Sequence, residues 1–174
     1  RRNFDENLGE WIELKKLEAK LDSDLTLHFP RAHEMVTTNL GEGLVASFIR
    51  DYDGKPSLTL KNHLWEVGGL TQKCKRALDQ FWLFLKDKKL LVRDPFPHNL
   101  MVQRHNKAGE LRIVQIDGFG SSDFLPFSRW FTYSRNRKLD GRRCRMQRQI
   151  DKHLEDIQQG NPPEGKGIIQ RRNQ

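Results

Sequence analysis

Cysteine is scarce in this sequence of 174 residues, which contains only two, Cys74 and Cys144. Two cysteines so far apart form neither a disulfide framework nor the paired-cysteine pattern of a zinc site. The six histidines show no metal-ligand spacing either. The sequence therefore predicts no zinc site.

Long apolar runs are also absent. The densest one, at residues 81–85, is far shorter than the roughly 20 residues that a membrane-spanning helix needs. The opening residues 1–5 lead into a charged amphipathic stretch instead of the apolar core of a signal peptide. We therefore expect a cytoplasmic protein with no membrane partner.

Acidic residues are outnumbered, with 23 Asp and Glu against 31 Lys and Arg, and the formal net charge is +8. Much of the excess lies in one segment, where Asp140 is the only acidic residue. Its basic residues are Arg129, Arg135, Arg137, Lys138, Arg142, Arg143, Arg145 and Arg148. This pattern favours a solvated helix face, and an anionic surface is the alternative partner. Nucleic acid is disfavoured because Trp130, Phe131 and Tyr133 precede most of the arginines instead of alternating with them.

The first third of the chain has the pattern of a helix followed by two strands. Apolar residues recur at three- and four-residue spacing over residues 4–21, which predicts an amphipathic helix. Strand-like stretches at 33–38 and 44–49 flank a glycine-containing loop at 39–43. The turn cluster at 51–56 predicts a boundary between a small sheet and a helical part.

The rest of the chain alternates helices with short apolar segments. Periodicity predicts helices over residues 61–67, 70–88 and 139–157. Short apolar segments predict strands at 90–92, 100–102 and 111–116. Residues 106–110 predict a hairpin turn between the last two strands, and residues 160–174 predict a flexible tail.

Three polar residues have the types and spacing of a phosphoryl-transfer site. Such a site needs a carboxylate that accepts a hydrogen bond from the attacking hydroxyl, and oxygen ligands that hold magnesium on the nucleotide phosphates. Asp94 supplies the first carboxylate, and Asn99 supplies an amide oxygen five positions later, across a proline-stiffened loop. Asp117 supplies the second carboxylate, at the end of a strand and before a glycine-containing turn. We expect Asn99 and Asp117 to lie close enough to share a magnesium ion.

These residues resemble the protein-kinase signature. In that signature an Arg-Asp pair precedes an asparagine by a fixed spacing, and an Asp-Phe-Gly motif stands downstream. Residues 93–99 match the spacing, whereas residues 117–120 read Asp-Gly-Phe-Gly and contain one extra residue. Val92 stands where the signature usually has histidine, and Phe96 stands where it usually has lysine. Both differences affect the expected catalysis more than the expected fold. The alternative is a proline-rich loop whose Asp and Asn cap backbone groups.

A second resemblance covers most of the chain. It rests on Phe-Pro-Arg at 29–31, Asp-Tyr-Asp-Gly-Lys-Pro-Ser-Leu-Thr-Leu at 51–60, Pro-His-Asn-Leu at 97–100 and Leu-Pro-Phe-Ser-Arg-Trp at 125–130. These blocks resemble the bacterial PhoP regulatory network protein family of the YrbL type. The resemblance implies a small cytoplasmic kinase-like protein in the regulon of a magnesium- and acid-responsive two-component system, with ATP and Mg²⁺ as cofactors.

Family members begin further upstream, with a strand pair and a lysine, so the resemblance implies that the N-terminal strands are missing here. In the kinase pattern a glutamate on the following helix pairs with that lysine. Glu13 is the first candidate for this nucleotide-site glutamate, and Glu10 is the next. The alternative is that both glutamates lie on the solvent-exposed face of an amphipathic helix.

The expected fold is α+β and protein-kinase-like. A remnant of a small antiparallel sheet lobe is expected over residues 1–53, and a mainly helical lobe with the catalytic and metal loops over 54–159. Three functional classes compete. They are an ATP- and magnesium-dependent phosphotransferase, a catalytically weak or inactive kinase-like module that regulates by binding, and a basic adaptor for nucleic acid. The expected partners are a nucleotide and an acceptor or regulatory protein that the sequence does not identify.

Overall fold

The computed structural model describes residues 6–119 and 131–167. The described helices are α1 (Glu6–Leu21), α2 (Leu25–His28), α3 (Leu60–Val67), α4 (Gln72–Asp87) and α5 (Phe131–Gln158), with a 3-10 turn at Asp22–Asp24. The described strands are β1 (Ala32–Thr38), β2 (Gly41–Ala46), β3 (Leu58–Thr59), β4 (Leu100–Arg104) and β5 (Leu111–Gln115). They form a β1–β2 sheet and a β3–β4–β5 sheet, both antiparallel. This confirms the predicted α+β class, whereas the kinase-like fold and the division into two lobes stay predictions.

The N-terminal helix and hairpin follow the sequence pattern, with one difference in β2. Helix α1 ends at Leu21, where the prediction placed its end. Strand β2 begins at Gly41, three residues earlier than predicted, because Thr38 pairs with Gly41 across a turn of only two residues. The glycines that predicted a loop therefore lie within the strand. Gly41 has a φ of +114°, a conformation that glycine adopts without steric cost.

Helix α4 carries the apolar stripe that its periodicity predicts. Phe81, Trp82 and Leu85 are buried in a core shared with β4, β5 and α5. The Thr71 hydroxyl accepts a hydrogen bond from the Cys74 amide at 3.2 Å, so the helix begins at Gln72. Burial of this stripe fixes the surface against which the β4–β5 ribbon packs.

Two further segments differ clearly from the sequence prediction. Residues 90–92 form no strand, although Leu90 and Val92 are buried; the Val92 carbonyl accepts a hydrogen bond from the Arg142 guanidinium instead of from a neighbouring strand. Helix α5 begins at Phe131, eight residues before the predicted start at residue 139. The missing strand at 90–92 has a physical cause: apolar patterns locate buried segments, whereas tertiary contacts decide how their backbones are satisfied.

A buried carboxylate joins the predicted boundary turn to β4. Asp51 is 4% exposed and accepts hydrogen bonds from the Ser57 hydroxyl at 2.7 Å and from the Arg104 amide at 3.0 Å. The Arg104 guanidinium also pairs with it at 2.8 Å. Asp53 receives the other arm of the same guanidinium at 2.9 Å. This network places the 51–56 turn beside β4.

The chain after α5 folds back onto α3. The Thr59 hydroxyl donates to the Gly167 carbonyl at 2.8 Å, and the Lys61 ammonium donates to the Glu164 carbonyl. Gly167 has a φ of +77°, and a Cβ there would lie 2.7 Å from the His98 Cβ. The predicted flexibility of residues 160–174 stays a prediction, and residues 168–174 lie outside the described part of the chain.

Candidate functional site

The antiparallel β4–β5 pairing brings two of the predicted site residues to the same end of the ribbon. Asn99 immediately precedes β4, and Asp117 follows β5 by two residues. Leu100 pairs with Gln115, and the Ile116 amide donates to the Asn99 carbonyl at 2.9 Å. The backbone beside Asn99 is therefore hydrogen-bonded to the backbone just before Asp117.

The loop that carries Asp94 lies against the same end of the ribbon. The Arg93 amide donates to the Gly118 carbonyl at 2.9 Å. Gly118 has a φ of +71°, and a Cβ there would lie 3.1 Å from both the Cβ and the backbone nitrogen of Asp94. The residue that departs from the Asp-Phe-Gly pattern thus stands where two loops approach too closely for a side chain.

Asn99 stabilises the loop from within. It is 8% exposed, and its Nδ2 donates to the Asp94 carbonyl at 3.0 Å. The Phe96 amide also donates to the Asp94 carbonyl, and the Asn99 amide donates to the Phe96 carbonyl, each at 2.8 Å. No described residue donates to the Asn99 Oδ1, so that oxygen is available to a ligand. The amide nitrogen caps a backbone group, as the alternative interpretation of this loop expects.

The two carboxylates differ in exposure and partners. The Asp94 side chain is 41% exposed, and its Oδ2 lies 3.2 Å from the Arg93 Nε. Asp117 is exposed, and its Oδ1 accepts a hydrogen bond from the Gly118 amide. In the described part of the chain the second oxygen of each carboxylate accepts no hydrogen bond. Each Asp therefore keeps one oxygen for a ligand.

Gln115 is a site residue that the sequence reasoning missed. Its side chain is fully buried, and its Nε2 donates to the carbonyls of Asp117 at 2.7 Å and Gly118 at 3.0 Å. These bonds hold the turn that presents Asp117. The signal was a glutamine at the end of an apolar strand, directly before the Ile-Asp-Gly turn, which by alternation alone reads as an ordinary strand position.

Phe119 connects this turn to the N-terminal part of the fold. It is 5% exposed, and its ring centroid lies 6.2 Å from that of Phe29 in an edge-to-face arrangement. Phe29 itself is buried just after α2. The position of the Asp117 turn thus depends on the packing of the Phe-Pro-Arg block.

Glu13 is not brought to the other site residues by any described contact. It is half-buried on α1, where its Oε1 accepts a hydrogen bond from Lys16 at 2.8 Å. This i,i+3 ion pair lies on the surface of the helix. The predicted nucleotide role of Glu13 stays a prediction.

His98 lies within the candidate loop, and burial and nearby charged groups shift its pKa. Burial lowers the pKa of His98, and the ammonium groups of Lys166 and Lys61 lower it further. The carboxylates of Asp117 and Asp94 act in the opposite direction. The described residues contain no group of three His, Cys, Asp or Glu side chains placed to hold a metal ion. The predicted magnesium ligands, Asn99 and Asp117, stay predictions.

A family model matches residues 1–151, most of the chain, and its description is PhoP regulatory network protein YrbL. The chain belongs to this family. The YrbL family match includes α1, both sheets, the Asp94–Asn99 loop and the Asp117 turn. It thus confirms the family resemblance noted from the sequence blocks.

Two relatives carry the YrbL name, one from Escherichia coli (strain K12) and one from Shigella flexneri. Each is 28% identical to this chain over 113 residues, which are 64% of this chain and 53% of the relative. The matched region thus spans about half the length of these curated relatives. No solved structure matches this YrbL family member. Among the described helices, none has the length and apolar character needed to span a bilayer.

Proposed function

We propose that this YrbL-family chain carries the catalytic and metal-binding loops of a kinase-like phosphotransferase that uses ATP and Mg²⁺. One observation carries the proposal: the loop with Asp94 and Asn99 and the turn with Asp117 lie against each other at one end of the β4–β5 ribbon. The hydrogen bonds of Asn99 and Gly118 join them there. A phosphoryl-transfer site needs few side chains beyond these, because catalysis rests mainly on positioning and charge neutralisation.

The oxygen atoms at this site are of the type that binds magnesium. Magnesium prefers hard oxygen ligands and is typically bound through one or two carboxylates plus the phosphates of the substrate. Asn99 Oδ1 and the second carboxylate oxygen of Asp117 accept no hydrogen bond from the described residues. When bound, the ion would neutralise the charge of the nucleotide phosphates.

Asp94 is the proposed catalytic carboxylate. Its carboxylate would accept a hydrogen bond from the hydroxyl that attacks the phosphoryl group and so orient it. The Arg93 Nε engages Oδ2 at 3.2 Å, and Oδ1 has no partner among the described residues. Arg93 thus helps to hold the carboxylate while one of its oxygens stays available.

The order of elements supports a kinase-like fold for this part of the family. A helix, α1, precedes a β hairpin, and the Asp51 turn leads from that hairpin into a helical part. The helical part then presents the Asp94 loop, the β4–β5 hairpin and the Asp117 turn in succession. This is the order in which a protein kinase arranges its catalytic loop and metal-binding Asp.

The test uses a full-length protein that contains this sequence. Asp94→Asn should lower the turnover number while leaving nucleotide affinity unchanged, because Asp94 acts on the attacking hydroxyl. Asp117→Asn should mainly remove the magnesium-dependent part of nucleotide binding. Calorimetry with and without Mg²⁺, beside a phosphate-release assay, measures both. Equal losses of affinity in the two variants would contradict these roles.

A binding module without efficient catalysis is the second candidate, favoured by two residues of the loop. Val92 is buried where the kinase signature has histidine, and Phe96 replaces the lysine that would contact the transferring phosphoryl group. The Phe96 ring lies 5.9 Å from the His98 ring and offers no charge to a phosphate. Magnesium-dependent nucleotide binding without turnover, with turnover gained in Phe96→Lys, would establish this second function.

A further inference from the structure

A cavity of about 690 Å³ lies between α3, α5 and residues 161–166. Its volume is in the range of pockets that hold small molecules. His98 lines one side, so the cavity adjoins the Asp94–Asn99 loop without including its carboxylates. Gly167, directly after the lining residue Lys166, lies against His98.

Lys61 is the least expected residue in the cavity wall. It is 9% exposed, and its ammonium donates to the Glu164 backbone carbonyl. No carboxylate of the described residues forms an ion pair with it. A cation in the first turn of a helix such as α3 opposes the helix dipole. Lys61 also lines the cavity, where an anionic ligand would stabilise its ammonium.

Two more lysines line the same cavity. Lys152, on α5, and Lys166 are exposed, and neither forms an ion pair with a described residue. The cavity wall also includes two carboxylates, Asp156 and Glu164, and Asp156 lies 3.9 Å from the His153 ring. Three ammonium groups thus stand against two carboxylates.

Two imidazoles in the wall lie within electrostatic reach of these lysines. Burial lowers the pKa of His153, and Lys61 and Lys152 lower it further against the opposing effect of Asp156. The pKa of His98 is lowered by burial and then by Lys166 and Lys61. Burial is the larger cause of both shifts, and the smaller lysine contributions show that these ammonium groups lie close enough to the rings to act on them.

An aromatic side chain supplies the apolar part of the wall. Trp65, on α3, is 36% exposed and lines the cavity together with Ile157 and Pro163. A partly exposed indole offers a flat surface on which a ring or an apolar group can pack. The cavity wall thus combines lysines with apolar side chains.

We propose that this cavity binds a small phosphomonoester with a ring-containing or apolar body, its phosphate held by Lys61, Lys152 and Lys166. The site is separate from the nucleotide and metal positions proposed above, and it does not require phosphoryl transfer. Phosphate is favoured over a carboxylate because three ammonium groups can each donate to a separate oxygen of one dianion.

The test is calorimetric titration of the 174-residue chain with phenyl phosphate, inorganic phosphate and phenol. Phenyl phosphate should bind saturably and more tightly than inorganic phosphate, and phenol should not bind. Lys152→Met and Lys61→Met should each weaken phenyl phosphate binding about tenfold or more, since each removes a charge-assisted hydrogen bond. Lys107 is an exposed lysine in the turn between β4 and β5, away from the cavity. Lys107→Met removes one positive charge there and should leave binding unchanged.

Because Lys61 is buried, its variant is checked for folding by circular dichroism, and the exposed Lys152 variant keeps the test decisive. The same comparison with vesicles containing phosphatidic acid separates a lipid phosphate from a soluble one. Binding sensitive to Lys152→Met in either arm supports the site. Absence of saturable binding, or an equal loss in Lys107→Met, would overturn the proposal.

Discussion

Replacement of Gly118 by alanine should separate the Asp94 and Asp117 loops at a measurable loss of stability. Gly118 has a φ of +71°, and an L side chain in the left-handed region costs about 1–2 kcal/mol. The added Cβ would also lie 3.1 Å from the Asp94 backbone nitrogen and 3.1 Å from its Cβ. Overpacking of this kind costs about 1–3 kcal/mol when the neighbour is backbone that cannot rotate away. The expected loss in unfolding free energy is therefore about 2–5 kcal/mol.

Gly54→Ala is the matched control for this substitution. Gly54 has a φ of +80°, and nothing lies within 4 Å of the position that a Cβ would take. It should therefore lose only the backbone contribution of about 1–2 kcal/mol. Urea denaturation followed by tryptophan fluorescence measures both variants, since the chain has four tryptophans. If the two substitutions destabilise the protein equally, the close approach of Gly118 to Asp94 has no energetic role and the site geometry argued here is wrong.

Three further predictions concern stability and charge. Asp51→Ala should lower the unfolding free energy by about 1–3 kcal/mol, because it removes the buried acceptor of Ser57 and Arg104 while Arg104 keeps Asp53. A loss well below about 1 kcal/mol in urea denaturation would contradict this. Burial lowers the pKa of His28 despite its bond to the Ile113 carbonyl. Below about pH 6.5 the unfolded state therefore binds this proton more readily than the folded state, and stability should fall as pH drops from there. His28→Gln should make that fall smaller by up to about 1.4 kcal/mol per pH unit. If the unfolding free energy of the variant and of the unchanged protein has the same slope against pH, the assignment to His28 is wrong. The arginine-rich segment should bind heparin in a strongly salt-sensitive way, whereas sequence-specific nucleic-acid binding that survives high salt would favour the adaptor function.

The helices with a strong apolar period could be predicted because their signal is local. The stripe of Phe81, Trp82 and Leu85 repeats at helical spacing, and Gly68 ends α3 in the left-handed conformation that glycine favours. Weak or misleading local signals produced the errors. The glycines that begin β2 resemble a loop, and Leu90 and Val92 are buried without a strand partner.

Part of the candidate site was also readable from the sequence. Asp94 and Asn99 lie five positions apart in one loop. The hydrogen bond from the Asn99 side chain to the Asp94 carbonyl lies within that loop. Asp117 follows a strand whose hairpin partner is adjacent in sequence, so the meeting of both loops follows from one short antiparallel connection. The predicted roles of Asp94, Asn99, Asp117 and Glu13 stay predictions.

Amino-acid type and spacing by themselves determined the family, the mixed α+β class and the polar residues at the ends of the β4–β5 ribbon, because each of these depends on neighbours within a few tens of residues. Only the tertiary structure decided that Gly118 lies against Asp94, that Gln115 holds the Asp117 turn and that Lys61 is buried in a cavity wall. The Gly118 and Lys61 contacts join segments far apart in sequence, whose separation carries no periodic signal, whereas the local Gln115 bonds depend on the burial of a polar side chain. Their strength depends on burial, which a sequence pattern does not measure.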